Sequence, residues 1–148
     1  GSPEHQAFAA LLSADGMAIR KIGETNAAVL DTPDAFGWRP LQWATFLSLD
    51  RIIDTLLYAK VSMEPEDTDW PPLQIAIRWA LKRPLQALLQ KGANSSTVST
   101  NGWSALHRAA QGGDDRIIDA LALKGASANV ANSEADTPVL LAARLGPT

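Results

Sequence analysis

The chain contains no cysteine. This absence excludes disulfides, thiolate zinc sites and thiol nucleophiles, and it favours an intracellular, cytoplasmic protein. Long hydrophobic runs are also lacking, since none approaches the roughly 20 apolar residues that a membrane-spanning helix needs. The first residues show no signal-peptide pattern. We therefore expect no direct insertion into a membrane.

The chain also has only a small excess of charge of one sign. The 13 lysines and arginines face 16 aspartates and glutamates, which leaves a formal net charge of −3. Nucleic acids and anionic membranes normally require a strongly basic face, so we expect neither as a partner. We expect a protein or a peptide as the partner instead.

Groups that carry catalysis or bind metals are few. His5 and His107 are the two histidines, and neither lies in a motif with a nucleophile and an acid. No glycine-rich phosphate loop is present, and the acidic segment from Ser62 to Pro72 has no calcium-loop spacing. The sequence therefore predicts no catalytic residue, no cofactor and no metal site, and it does not favour an enzyme.

Four short segments repeat at a nearly constant interval. They are Arg39–Ala44, Pro71–Ala76, Ser104–Ala109 and Thr137–Ala142. Their apolar anchors Leu41, Leu73, Leu106 and Val139 are 32, 33 and 33 residues apart. A period of this size indicates stacked units that cannot bury their apolar faces alone.

Each unit carries the signals of two short helices. A small residue, such as Ala44 or Ala76, follows the anchor by three positions and permits close helix packing. An apolar i, i+3, i+4 pattern then predicts a second, amphipathic helix. Gly92 and Gly125 are predicted to end the second helix in a left-handed conformation, with Lys60 and Asn26 at that place in other units.

The segments 102–110 and 123–129 resemble the ankyrin repeat. Its pattern is a glycine turn, Thr-Pro-Leu-His, two alanines, a second helix that ends in two leucines, and Gly-Ala. The resemblance covers Asp34 to Gly146 and implies an all-α solenoid of antiparallel helix pairs joined by projecting turns. It also implies that His107 bonds the backbone of a neighbouring turn. In the third unit, Asp69 stands in place of the turn glycine, so we expect a distorted turn there.

The repeats divide the chain into units. Residues 1–4 are predicted to be a tail that begins with a cloning scar, Gly1-Ser2, and residues 5–148 to form one repeat domain. The expected repeats are about 5–33, 34–65, 66–98, 99–131 and 132–148, with the first divergent and the last incomplete. We expect the chain to be a fragment of a longer protein and to be monomeric in isolation.

Three of the five tryptophans occupy equivalent places in successive units. Trp38, Trp70 and Trp103 each come just before the residue that opens a first helix. In ankyrin-like arrays that place lies on the projecting turn, at the edge of the concave groove. The indoles are therefore predicted to form a row that binds a partner, because tryptophan is frequent among interface hot spots. The alternative is that the rings pack on one another and only stiffen the turns.

Other side chains are assigned to the same groove by their register. Phe46, Leu47, Arg78 and Trp79 end two of the first helices, and Arg144 holds that place in the last unit. Charged positions that would match a partner are Arg78, Arg108, Asp136 and Arg144. Trp43 is predicted to be core, as are Leu140 and Leu141.

The resulting hypothesis is a protein-interaction module that binds a peptide or protein segment through a tryptophan ladder. A second hypothesis is a docking arm or regulatory domain within a larger protein, with the ladder buried against a neighbouring domain. A third is self-association. A two-residue substitution of Trp70 and Trp103 by alanine would distinguish the first from a purely structural role for the indoles.

Overall fold

The computed structural model describes residues 3–65, 67–95, 98–112, 114–127 and 130–145. The predicted scar Gly1-Ser2, Glu66 of the acidic segment and the end of the last unit, 146–148, lie outside these ranges. Within them the chain forms nine α-helices, one short 3-10 helix and a single isolated antiparallel bridge between Val98 and Ser104. The predicted all-α class is therefore confirmed.

The helices follow one another in pairs. Their bounds are α1 Pro3–Leu12, α2 Gly16–Asn26, a 3-10 helix Ala27–Asp31, α3 Pro40–Phe46, α4 Asp50–Tyr58, α5 Pro72–Arg78, α6 Lys82–Gln90, α7 Ala105–Gly112, α8 Asp115–Leu123 and α9 Pro138–Leu145. The first helices α1, α3, α5, α7 and α9 pack side by side in one layer. The second helices α2, α4 and α6 form the other layer, and α8 packs on α7.

The core lies between these two layers. Leu41, Leu73 and Leu106 are buried from the first helices, and Ile53 and Leu88 are fully buried from the second helices. Ala44, Ala76 and Ala109 are at most 1 % exposed, which agrees with their predicted role at helix contacts. The small side chains let the first helices of adjacent pairs approach one another closely.

Helix ends follow the predicted signals in most pairs. Pro40 and Pro72 are the first residues of α3 and α5, where the missing N–H costs no hydrogen bond. Gly92 and Gly125 have φ values of 89° and 86° after α6 and α8. The prediction for Asn26 is wrong: its φ is −155°, because α2 runs directly into the 3-10 helix.

Two further predictions concern the turns and the last helix. Gly37 and Gly102 take positive φ values of 80° and 79° in equivalent turns, whereas Asp69 is not left-handed, so the third turn does differ. Leu141 is 6 % exposed, as expected of core, but Leu140 is 51 % exposed and its prediction as core is wrong. The helix α9 packs on α7, and this packing leaves Leu140 exposed.

Candidate functional site

The three predicted ladder residues hold the same place in successive turns. Trp38, Trp70 and Trp103 lie two residues before the first residues of α3, α5 and α7, and all three are half-buried. The backbone N–H of Trp38 donates to Asp34 Oδ1 over 3.0 Å, and that of Trp70 donates to Thr68 Oγ1 over 3.1 Å. Each turn thus fixes the backbone from which an indole projects.

A side chain of the preceding unit bonds the backbone of three of the turns, those of Trp70, Trp103 and Asp136. Gln42 Nε2 donates to the carbonyl of Trp70 over 2.9 Å, and Gln74 Nε2 donates to the carbonyl of Trp103 over 2.6 Å. His107 Nε2 lies 2.8 Å from the carbonyl of Asp136. We call Gln42, Gln74 and His107 the bridging side chains.

The tautomer of His107 follows from its partners. Its Nδ1 accepts from the backbone N–H of Ser104 over 3.0 Å, so the proton belongs on Nε2, which donates to Asp136. The predicted structural role of His107 is consistent with this geometry. Sequence reasoning missed that Gln42 and Gln74 also bond the backbone carbonyl of the next turn. Their repeat was visible in the sequence, because Gln74 follows Gln42 by 32 residues and His107 follows Gln74 by 33 residues.

Aromatic rings contact one another across two units. We call five of them the aromatic surface: Trp38, Trp43, Phe46, Trp70 and Trp79. A sixth ring, that of Phe36, contacts Trp43 edge-to-face with centroids 6.5 Å apart. The ring of Trp38 lies 4.8 Å from that of Trp43 and 5.9 Å from that of Phe46, between centroids. The ring of Trp79 lies 5.2 Å from Phe46 on one side and 5.2 Å from Trp70 on the other. These separations are those of tilted and edge-to-face aromatic pairs. The aromatic surface is therefore continuous from Trp38 to Trp70.

Arg108 extends the series to Trp103. Its guanidinium carbon lies 3.9 Å from the ring centroid of Trp70 and 4.5 Å from that of Trp103. Its Nε donates to Gln74 Oε1 over 3.0 Å, and its Nη2 donates to the carbonyl of Asp69 over 3.2 Å. Arg108 is 5 % exposed, so a cation fills the space between two indoles instead of facing a partner.

This placement changes the electrostatics of the site. Burial lowers the pKa of the Arg108 guanidinium to about 10; the Asp69 carboxylate opposes this shift, and the charge of Arg78 adds to it. The guanidinium stays charged at neutral pH because that value is well above 7. The floor of the site therefore holds a positive charge in a poorly solvated place.

The ends of α3 and α5 present the exposed part of the site. Phe46, Leu47 and Trp79 are 39 %, 42 % and 43 % exposed. Arg78 is also exposed, and its guanidinium carbon lies 5.7 Å from the ring centroid of Trp79. Exposed apolar groups in one patch are unusual on a protein that has no partner.

One helix pair of the chain, with the turn that precedes it, matches a known family. Residues 101–133 match the ankyrin repeat. The matched segment contains α7 and α8, the turn of Trp103 and the bridging side chain His107. No curated protein matches the chain. The resemblance inferred from the repeated motifs is thus confirmed for this ankyrin repeat, and the number and bounds of the other repeats remain predictions.

Two charged positions predicted to face a partner are engaged with each other. Asp136, at the place of the ladder tryptophans in the last unit, has a side chain that is 3 % exposed. Arg144 Nη1 and Nη2 lie 2.8 Å from its Oδ2 and Oδ1. A bidentate pair of this kind satisfies the buried carboxylate. The Asp136 carboxylate, predicted to match the charge of a partner, is therefore buried and paired within its own unit, while the Arg144 side chain that pairs with it is 64 % exposed.

An ion pair also joins the turn before α5 to the turn before α3. Arg39 donates to both carboxylate oxygens of Asp67 over 2.8 and 3.1 Å, and its Nε donates to the carbonyl of Asp31. The hydrogen bond from Arg39 lowers the pKa of Asp67. Sequence reasoning did not find this pair, because 28 residues separate its members and neither lies in a motif.

An apolar recess adjoins one end of the aromatic surface. It has a volume of about 470 Å³ and lies between α1 and the turn before α3. Phe8, Leu11, Leu12 and Trp43 line it. Trp43 was predicted to be core; it is half-buried, and its Nε1 donates to Asp34 Oδ2 over 2.7 Å. Trp43 thus contributes one ring to both the recess and the aromatic surface.

Two classes of site are not found in the part of the chain that the structure describes. No helix there is long and apolar enough to cross a membrane. The same ranges hold no group of three or more histidine, cysteine, aspartate or glutamate side chains that could bind a metal ion.

Proposed function

We propose that this protein is an interaction module that binds an extended segment of another protein across the aromatic surface. Ankyrin repeats generally mediate protein–protein interaction, and they are typically not enzymes. The observation that carries the proposal is the unbroken contact of the rings from Trp38 to Trp70, together with the exposure of Phe46, Leu47 and Trp79 at its centre. The partner would bury these exposed groups.

The roles of the candidate residues differ in this proposal. Phe46, Leu47 and Trp79 would make the main apolar contacts, because they are the most exposed of the set. Trp38 and Trp70 would support them and offer one edge each, since both are half-buried. Trp103 would act mainly through its contact with Arg108. The recess beside Trp43 would accept an apolar side chain of the partner.

A phage-displayed library of random peptides tests the proposal, because the selection does not require that the partner be identified. Peptides enriched on the wild-type chain should bind the Trp79→Ala variant at least tenfold more weakly, since truncation of a tryptophan hot spot commonly costs about 2 kcal/mol or more. Tyr58→Ala is the matched control, because Tyr58 is an aromatic residue that is 73 % exposed on α4, in the other layer. The proposal fails if no peptide is enriched, or if Trp79→Ala and Tyr58→Ala have equal effects.

A purely structural role for the rings, in which they stiffen the turns, is the second candidate. It is favoured by the mutual contacts of the rings, which stabilise the turns whether or not a partner binds. In that case Phe46→Ala and Trp79→Ala should lower the free energy of unfolding and leave peptide binding unchanged. Measurement of both quantities on the same two variants separates the candidates.

A further inference from the structure

Two positively charged side chains lie beside Trp70 and Trp79. The guanidinium carbon of Arg108 lies 3.9 Å from the ring centroid of Trp70, and that of Arg78 lies 5.7 Å from the ring centroid of Trp79. The two positive charges are placed here although the whole chain carries a net charge of −3. Local charge opposite in sign to the net charge is a feature that selects partners.

Neither arginine has a carboxylate within ion-pair distance among the residues that the structure describes. Arg108 bonds the amide oxygen of Gln74 and a backbone carbonyl, both of them neutral acceptors. Asp69 accepts a hydrogen bond from the hydroxyl of Thr100. A poorly solvated cation without a paired anion is unfavourable, and an anion that arrives nearby relieves that cost.

Arg78 is the group that an incoming anion can reach. It is exposed, whereas Arg108 is 5 % exposed and covered by two indoles. The guanidinium carbon of Arg78 lies 5.7 Å from the ring centroid of Trp79, beside the exposed part of the aromatic surface. A guanidinium carries its N–H donors in a planar arrangement that matches the two oxygens of a carboxylate.

We infer that the segment bound on the aromatic surface carries an aspartate or glutamate between apolar residues, and that its carboxylate pairs with Arg78 beside Trp79. This inference rests on the proposed function. The apolar residues on either side would cover Phe46 and Trp70, and the positive charge of Arg108 below would strengthen the attraction for the carboxylate. The same arrangement disfavours a basic segment, which would meet like charge at this point.

The selection of peptides on the wild-type chain supplies the probe. Enriched peptides should contain an acidic residue with apolar neighbours. One such peptide is then made with its C-terminus amidated, together with an analogue in which the acidic residue is replaced by glutamine or asparagine. Affinity is measured from tryptophan emission, because all five tryptophans of the chain lie in or beside the site.

Arg78→Gln should weaken the acidic peptide about fivefold, the upper end for an exposed ion pair, and should leave the amide analogue nearly unchanged. The acidic peptide should also lose affinity as salt is added. Arg51→Gln is the control, because it removes the same charge from an exposed position on α4. Arg51→Gln should change the affinity of neither the acidic peptide nor its amide analogue.

Three results would count against the inference. Enrichment of neutral or basic peptides whose binding depends on Trp79 would overturn it while the proposed function stands. The inference would also be overturned, with the proposed function left standing, if Arg78→Gln lowered the affinity for the acidic peptide and for its amide analogue equally. Failure to enrich any peptide that depends on Trp79 would remove the proposed function, and this inference with it.

Discussion

Replacement of Gln42 by leucine tests how the turns are held in register. Gln42 is fully buried, and its Oε1 accepts from the backbone N–H of Arg39 over 2.8 Å. Its Nε2 donates to the carbonyl of Trp70 over 2.9 Å and to Thr68 Oγ1 over 3.0 Å. Leucine has a similar volume but no polar atom, so the Gln42→Leu variant removes these hydrogen bonds without opening a large cavity.

The expected cost follows from the groups left behind. The N–H of Arg39 and the carbonyl of Trp70 each lose the side-chain partner, while the hydroxyl of Thr68 keeps its bond from the N–H of Trp70. An unsatisfied buried group costs about 1–3 kcal/mol. Both groups are partly buried, so we expect Gln42→Leu to lower the free energy of unfolding by about 2–4 kcal/mol.

Gln42→His is the matched control. His107 holds the equivalent position and makes the equivalent bonds, with Nδ1 accepting from the N–H of Ser104 and Nε2 donating to the carbonyl of Asp136. A histidine at position 42 can make the same two bonds, so its free energy of unfolding should stay within about 1 kcal/mol of wild type.

Urea unfolding followed by circular dichroism and by tryptophan emission measures both variants. Stacked repeats can lose two-state behaviour, so the two signals must give coincident transitions before free energies are compared. The reasoning is refuted if Gln42→Leu unfolds within about 0.5 kcal/mol of wild type, or if Gln42→His is as unstable as Gln42→Leu.

Two further predictions concern the turns. Gly102→Ala should lower the free energy of unfolding more than Gly37→Ala. Both glycines have φ near 80°, where alanine is strained by about 1–2 kcal/mol. A Cβ at position 102 would also lie 3.0 Å from a backbone nitrogen of the following turn, whereas a Cβ at position 37 would have nothing within 4 Å. Equal losses in urea unfolding would contradict this. Asp67→Asn should reduce the loss of stability in acid. The hydrogen bond from Arg39 lowers the pKa of Asp67 below its ordinary 3.8. The pair therefore stabilises the fold above pH 3.8, and this contribution is lost as the pH falls through the lowered pKa of Asp67. Acid titration of both proteins by circular dichroism checks this, and identical profiles would refute it.

The sequence was sufficient for the regular part of the fold. The interval between Leu41, Leu73 and Leu106 predicted the stacked helix pairs. Two prolines predicted where α3 and α5 begin, and two glycines predicted where α6 and α8 end. These features are local or strictly periodic, so one unit carries the information for the next. The prediction for Asn26 is wrong because the first unit continues into a 3-10 helix, and the described residues of the other units contain no such helix.

The site was predicted less well, because its contacts are made between units. Register alone placed Arg108 beside the groove, but not between Trp70 and Trp103, where it reaches back 39 residues to the carbonyl of Asp69. Likewise, the pairing of Arg144 with Asp136 depends on the direction of two side chains. The repeat interval predicts where a Cα lies along the stack, but it does not predict which neighbour a long side chain contacts.

The same side chains hold the stack together and place the indoles. Gln74 bonds the carbonyl of Trp103 with its nitrogen and Arg108 with its oxygen, and Arg108 in turn lies against both Trp70 and Trp103. A change that loosens the contact between α5 and α7 must therefore also displace two rings of the ladder. By thermodynamic linkage, a ligand that holds Trp70 and Trp79 in place should stabilise the contact between these units. If the proposed segment binds on the aromatic surface, we expect its binding to be coupled to the contact between α5 and α7 through Gln74 and Arg108. A loss of binding in a variant at either position therefore has to be compared with its free energy of unfolding before it is assigned to contact with a partner.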